Sequence, residues 1–386
     1  MHIRQRISHF LANLQRSLFP NLEEVLSSPL TEEHRRVVAI LEVVRVEKQV
    51  PRAGRSPRGG RPPHDRRKLA RAYVVRAALG ISETEDVFNR LQADRTLRRL
   101  CGWQGGERLP SLSTFSRAFA ECAQSGLFDR VHAKLVAEHL GDTVSEHVSH
   151  DATAISVRER PVKMKKPARA KRKRGRPRQG EERPVTEPKR LQRQQTQTVA
   201  EMLSELPTEC SVGCKQNSQG NKEYWIGYKL HVAQTDDGLP VAAFTTGAGM
   251  HDSGGGIPLL RLAQERVRSC YDLLDSAYDA KEIRAVSEGL GHVPIIDANA
   301  RRTGSKAERE KLTKLPLSRL DVERALIDTD RRRRFNARSS VERFNSQLKD
   351  NTGARMIRVR GQPKVHAFLM CGLLVIFADA LLALGR

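Results

Sequence analysis

A continuous apolar run near the C-terminus limits what this chain can fold into more than any other feature. The run VHAFLMCGLLVIFADALLAL, residues 365–384, has the roughly 20 residues that a bilayer span requires. His366 and Asp379 interrupt it, and no other segment of the sequence is comparably apolar. A helix that is apolar on all sides also forms the centre of a large core. We therefore expect a buried core helix and no membrane contact.

The net charge of the chain points to a polyanionic partner. A formal charge of +23 over 386 residues is far more than solubility requires. Nucleic acid, before a membrane surface, is the partner that such an excess favours. The six cysteines are sparse and scattered, which is typical of a reducing compartment and not of a disulfide framework. The composition therefore predicts a nucleic-acid-binding protein of a reducing cytoplasm.

The first 140 residues have a helical pattern. Residues 1–50 form a predicted helical segment, and the Pro-, Gly- and Arg-rich residues 51–68 form a predicted basic linker. Residues 69–140 contain several short helices separated by Gly and Pro, the last of them rich in Ser and Thr. This arrangement favours a helix-turn-helix-like DNA-binding domain, although another small helical bundle would give a similar pattern.

Strand patterns begin after Gly141. Residues 145–159, 224–234 and 239–249 are rich in β-branched and aromatic residues, and the turn DDG at 236–238 joins the last two as a hairpin. The later segments alternate between helices and short apolar strands. Antiparallel strands followed by alternating β/α units predict an α/β domain over residues 145–386, with a mixed sheet flanked by helices.

A strongly basic segment separates the first two predicted strands. Residues 158–193 contain 16 Lys or Arg and 4 acids, so about half of the net charge lies in about a tenth of the chain. Such a composition does not fold alone, and it predicts a basic, flexible insertion at about 158–222 that contacts phosphates. RGRP at 174–177 also resembles an AT-hook, in which Arg174 and Arg176 would lie in the minor groove.

Three acids occupy positions that a carboxylate metal site requires. Asp151 lies in the middle of the first predicted strand, where an acid lowers strand propensity. Asp275 ends the apolar strand CYDLLD, which is a usual place for functional groups in an α/β sheet and also for a helix N-cap. Glu342 lies in FNARSSVERFNSQLKD, residues 335–350, beside the apolar face of a predicted helix. An Arg338–Glu342 ion pair at i, i+4 is the structural alternative for this last acid.

These acids and their context resemble the DDE transposases of bacterial insertion sequences, whose catalytic domain has the RNase H-like fold. The second acid lies in a D-x-x-Y motif formed by Asp275 and Tyr278. The third lies in a Y-(2)-R-(3)-E-(6)-K signature, matched by Phe335 in place of Tyr, Arg338, Glu342 and Lys349. The resemblance covers about residues 60–386.

The resemblance implies an enzyme that cleaves DNA at the ends of its element and joins them to target DNA. Asp151, Asp275 and Glu342 would be the catalytic residues and the ligands of two Mg²⁺ ions, which Mn²⁺ could replace. Phe335, Arg338, Lys349 and Tyr278 would contact DNA. The implied partners are terminal inverted repeats, target DNA and a second subunit in a synaptic complex. An inactive DNA-binding derivative and a nuclease without strand transfer remain the alternatives.

Overall fold

The fold is an α/β sheet preceded by a helical region. The computed structural model describes residues 30–51, 63–104, 106–141, 143–162, 188–216, 219–297 and 329–385. The predicted AT-hook arginines, Arg174 and Arg176, and most of the predicted helical segment 1–50 lie outside these described residues.

Six helices form the described part of the N-terminal region: α1 Glu32–Val44, α2 Arg66–Ala78, α3 Thr84–Ala93, α4 Arg95–Leu100, α5 Leu112–Gln124 and α6 Leu127–Leu140. Side-chain caps fix the starts of four of these helices, α1, α2, α4 and α5. At α2, for example, Asp65 accepts from the backbone N–H of Arg67. Because α2 begins at Arg66, the helix starts inside the predicted linker 51–68. Large aromatic side chains fill the centre of this region, namely Tyr73, Trp103, Phe115, Phe119 and Phe128.

Six strands form one sheet: β1 Val144–Ser156, β2 Ser211–Gln216, β3 Lys222–Thr235, β4 Pro240–Gly247, β5 Arg268–Leu274 and β6 Val293–Ile296. The central strand β1 pairs antiparallel with β3 and parallel with β5, and β5 pairs parallel with β6. Both β2 and β4 pair with β3, β2 along its first half and β4 along its second. This mixed order confirms the predicted fold class, and the hairpin at 236–238 is present as predicted, with Gly238 at φ 79°.

Helices cover both faces of the sheet: α7 Arg190–Gln194, α8 Val199–Ser204, α9 Gly256–Gln264, α10 Lys281–Gly289, α11 Ser339–Asn351 and α12 Gln362–Leu384. A smaller apolar cluster lies between α8, α9, α10 and the strands β5 and β6. Helix α11 packs along β1. The two helices α7 and α8 and the strand β2 fall within the predicted insertion 158–222. That expectation was therefore too broad, because α7 and α8 pack on α9 and β2 pairs with β3.

The apolar C-terminal run forms α12, which is buried at the centre of the molecule. It contacts α1, α2, α5 and α6 of the helical region as well as β4 and α11 of the sheet region. Among the described helices, α12 alone is long and apolar enough to cross a membrane, and 72% of its most apolar stretch is buried. The helical region and the sheet thus share one continuous apolar core that runs across the predicted boundary near residue 140.

Candidate active site

The first two acids lie side by side at the centre of the sheet. The parallel register of β1 and β5 extends to His150 opposite Leu274, so the next residue on each strand is Asp151 or Asp275. Neighbouring strands are about 5 Å apart, which brings the two carboxylates into the same small region. The Asp275 side chain also accepts from the backbone N–H of Ala277 and caps the turn Ser276–Tyr278. Asp275 is therefore an N-cap as well as the neighbour of Asp151.

The third acid reaches this region on α11. The sequence predicted one helix through residues 335–350, but the chain turns at 337–338, and Arg338 becomes the N-terminal cap residue of α11. Glu342 was also expected beside the buried face, whereas its side chain is 60% exposed. It forms the ion pair with Arg338 that the structural alternative predicted, at 2.8 Å. The same guanidinium lies 3.8 Å from Asp151, so Arg338 bridges the first and third acids.

Burial and mutual repulsion define the electrostatics of the two aspartates. Burial and then the neighbouring Asp275 carboxylate raise the pKa of Asp151 to about 7, against the opposing effect of Arg338. Burial also raises the pKa of Asp275, while the N–H of Ala277 and the charge of Arg338 act in the opposite direction. The region therefore carries more negative charge than its own arginine neutralises, which is the condition that favours a bound cation.

Two further side chains of α11 hold the helix against β1. Asn345 donates from Nδ2 to Oδ2 of Asp151 at 2.8 Å. Lys349 donates from Nζ to Oγ1 of Thr153 at 2.6 Å, and burial lowers the pKa of this lysine. Asp151 and Thr153 point to the same face of β1, since side chains two residues apart in a strand do so. The carboxylate of Asp151 is thus approached from α11 by one amide and one guanidinium.

The other residues of the predicted site have different surroundings. Phe335 lies in the helical segment 329–336, half-buried, with the Arg338 guanidinium 5.5 Å from its ring centre. Tyr278 is fully buried, and its hydroxyl has no hydrogen-bond partner among the described residues. The DNA contact of Tyr278 therefore stays a prediction, and in the structure this side chain packs in the smaller apolar cluster with residues of α8, α9 and α10.

A fourth carboxylate lies near the site on the opposite face of the sheet. Asp252 pairs with Lys229 at 2.6 Å, and its charge contributes to the raised pKa values of Asp151 and Asp275. His231, on the same face as Lys229, is fully buried, and its Nε2 lies 2.9 Å from Oγ1 of Thr246. Burial lowers the pKa of His231 to about 4, so it is neutral and structural at physiological pH.

A buried polar cluster beneath β1 was not predicted from the sequence. Asp272 lies 3.1 Å from Nε2 of His150 and 2.9 Å from Nδ1 of His292, and it accepts from Ser287 at 2.5 Å. These hydrogen bonds hold the pKa of Asp272 well below its usual range in spite of burial. The segment CYDLLD contains both this structural acid and Asp275. Asp275 differs from Asp272 because it lies directly after the end of the strand, whereas Asp272 lies within it.

Among the described residues, one group of side chains comes close enough to hold a metal ion, and it does not include Asp151, Asp275 or Glu342. The ligand atoms of Glu146, His147 and Asp236 lie within 4.8 Å of one another. Asp236 is already bonded to the backbone N–H and the Nδ1 of His147, and Arg334 pairs with Glu146. Four or five residues of strand separate this group from Asp151, about 13 to 17 Å. The group is therefore a separate, guanidinium-bridged network.

The topology and the acids together define a class of protein. Five of the strands follow one another across the sheet in the order β4–β3–β1–β5–β6. The first three are antiparallel and the last three are parallel. Two acids lie side by side at the centre of this sheet, and a third lies on a covering helix. This is the RNase H-like arrangement, with one acid within the central strand and the second directly after the neighbouring strand.

Comparison with known proteins agrees with this class. Residues 142–378 match a family model described as a transposase DDE domain, and residues 24–121 match a model described as a transposase domain (DUF772). The first match covers more than half of the chain, and the chain therefore belongs to the DDE transposases of insertion sequences. No curated protein and no solved structure matches the chain.

Proposed function

We propose that this transposase binds the ends of its insertion sequence and catalyses metal-dependent DNA cleavage and strand transfer, with Asp151, Asp275 and Glu342 as its catalytic residues. The observation that carries the proposal is the meeting of the first two acids across β1 and β5, with Arg338 bridging to the third. A stability role does not explain this arrangement, because Asp151 is ionised only at a cost in free energy.

The donor set fits a hard divalent cation. Carboxylate oxygens from three elements face one region, and none of the described thiols or imidazoles that would favour a softer metal contacts Asp151 or Glu342. Two Mg²⁺ ions held by these acids would activate the attacking oxygen and stabilise the leaving oxygen, and Mn²⁺ could substitute for them. The 60% exposure of Glu342 leaves its carboxylate free to turn towards the aspartates.

The basic residues of α11 would hold the DNA near the acids. Arg338, the cap residue of α11, presents a planar fork suited to a phosphate, and Lys349 presents a point charge about three turns further along. Phe335 supports the Arg338 guanidinium through its ring. The half-buried positions of Arg338 and Lys349 orient both cations at the surface beside Asp151.

The remaining features assign parts of the chain to DNA. The helical region 69–140 would recognise the terminal inverted repeats, the domain 145–386 would carry out the chemistry, and the basic residues within 158–193 would contact flanking or target DNA. Double-stranded DNA is the partner that the charge of +23 favours. Two subunits would act together in a synaptic complex, in the cytoplasm of a bacterial cell where the DNA lies.

A strand-transfer assay tests the proposal. The full-length protein is incubated with Mg²⁺, a target plasmid and labelled DNA that carries the repeats flanking its gene. Joined product is expected; cut but unjoined DNA would indicate a nuclease, and bound intact DNA would indicate an inactive derivative. Asp151→Asn, Asp275→Asn and Glu342→Gln should each abolish cutting and preserve DNA binding. Asp350→Asn is the matched control, since this acid lies on α11 but pairs with Arg355.

A further inference from the structure

Asn345 is a buried amide one helical turn beyond Glu342. Its side chain is 8% exposed, and its Nδ2 donates to Oδ2 of Asp151 at 2.8 Å. Residues three apart on a helix share a face, so one face of α11 presents both the third acid and a hydrogen-bond donor to the first acid. Within the part of the chain that the structure describes, the Oδ1 of Asn345 has no partner. The contact with Asp151 is therefore the hydrogen bond that accounts for the orientation of this amide.

The contact belongs to a matched pair between α11 and β1. Asn345 and Lys349 are four residues apart, about 6 Å along a helix, and Asp151 and Thr153 are two residues apart, about 6.7 Å along a strand. The two hydrogen bonds therefore fix the position of α11 along β1. Because Glu342 lies on the same helix, these hydrogen bonds also fix its distance from Asp151.

The chemistry of an amide suits this place. The amide nitrogen donates to Asp151, which suits the ionised, metal-binding form of this carboxylate because that form only accepts hydrogen bonds. An amide carries no charge at any physiological pH. It therefore orients the carboxylate and leaves its negative charge available, whereas Arg338, 3.8 Å from the other oxygen, neutralises it.

We infer that Asn345 is a positioning residue, which orients Asp151 towards bound metal and sets the separation between the first and third acids. This inference rests on the proposed function, because it requires Asp151 to be a metal ligand. Partners that orient a ligating carboxylate typically change metal affinity or activity by 10- to 100-fold when they are removed. In the sequence, the spacing Glu342-x-x-Asn345 places this amide on the same helix face as the third acid. Asn345 was missed because its side chain is not titratable.

The test measures metal binding directly. Mn²⁺ is titrated into the full-length protein without DNA, and free Mn²⁺ is followed by electron paramagnetic resonance. Asn345→Ala should weaken Mn²⁺ binding by about 10- to 100-fold and raise the Mg²⁺ concentration for half-maximal cleavage by a similar factor. DNA affinity should stay within about twofold of the wild-type value. Asn345→Leu keeps the side-chain volume without the donor and should give the same result if the alanine variant folds poorly.

Thr153→Val provides the matched control. It removes the other hydrogen bond between α11 and β1 without touching Asp151. If Asn345 only holds the helix in place, both variants should lower the melting temperature and neither should change Mn²⁺ affinity, which would overturn the inference. Asp151→Asn distinguishes a failure of the proposed metal site from a failure of the positioning role of Asn345. Wild-type Mn²⁺ binding in that variant would refute the proposed metal site itself, whereas its loss together with unchanged binding in Asn345→Ala would refute only the positioning role.

Discussion

Replacing Asp151 by asparagine should stabilise the fold, and the stabilisation should depend on pH. In the unfolded chain the pKa of an aspartate is about 3.9, whereas burial and Asp275 raise the pKa of Asp151 to about 7 in the fold. Between these values the folded protein binds a proton that the unfolded chain has lost. The contribution of Asp151 to the free energy of unfolding therefore decreases as the pH rises through this window.

The size of the effect follows from the shift. Three pKa units at about 1.4 kcal/mol each give roughly 4 kcal/mol above pH 7, and about 1.5 kcal/mol of this is already present at pH 5. An asparagine carries none of it, although Arg338 loses one of its partners. The advantage of Asp151→Asn over the wild type should therefore grow by on the order of 2 to 3 kcal/mol between pH 5 and pH 8.

Urea unfolding followed by circular dichroism, in chelator and at several pH values, measures this difference. Taking the difference cancels the other titrating groups that both proteins share. The control Asp350→Asn removes an exposed carboxylate of α11 that pairs with Arg355 and lies outside the site. Added Mg²⁺ should reduce the advantage at pH 8, because it stabilises only the protein that binds it. A difference that stays flat from pH 5 to pH 8 would refute the view that Asp151 is held ionised against burial and repulsion.

Three other substitutions test separate parts of the structure. Arg76→Met should raise the free energy of unfolding, measured in urea, by about 1 to 4 kcal/mol. The Arg76 guanidinium is fully buried between Phe119 and Phe368 and has no hydrogen-bond partner among the described residues. A destabilised variant would contradict this reasoning. Tyr278→Phe removes a buried hydroxyl that has no partner among the described residues, and it should leave DNA affinity unchanged in fluorescence anisotropy. A weaker complex would support the predicted DNA contact of this hydroxyl. Lys349→Met should weaken DNA binding and reduce its salt dependence by about one counterion, and an unchanged salt slope would show that this amine does not reach a phosphate.

The sheet was predictable because its strands carry strong local signals. The alternating residues of β1, the DDG turn between β3 and β4, and the short apolar strands β5 and β6 all appear in the structure where the sequence indicated them. Strand β2 and the helices α7 and α8 were missed, since they lie in a segment whose charge suggested an insertion without structure. Their stability comes from tertiary contacts: β2 pairs with β3, and Met202 of α8 is fully buried in the smaller apolar cluster with residues of α9 and α10.

The candidate site was predictable in its elements and less so in its details. Sequence spacing placed Asp151 and Asp275 on the strands that the structure brings together. Helical periodicity could not show the turn at 337–338 or the exposure of Glu342, because both depend on how α11 meets β1. The contact of Asn345 with Asp151 links residues 194 positions apart in the chain, a separation at which local patterns carry no information.

The burial of α12 between the two parts of the molecule has a mechanical consequence. Arg76 of α2 lies against Phe368 of α12, and the same helix borders β4 and α11, so no hinge at the junction near residue 140 moves freely. DNA bound by the helical region would therefore lie at a constant distance from Asp151, Asp275 and Glu342. Because this distance is fixed, extra base pairs inserted between the recognised repeat and the end of the element would displace the cut by the same length.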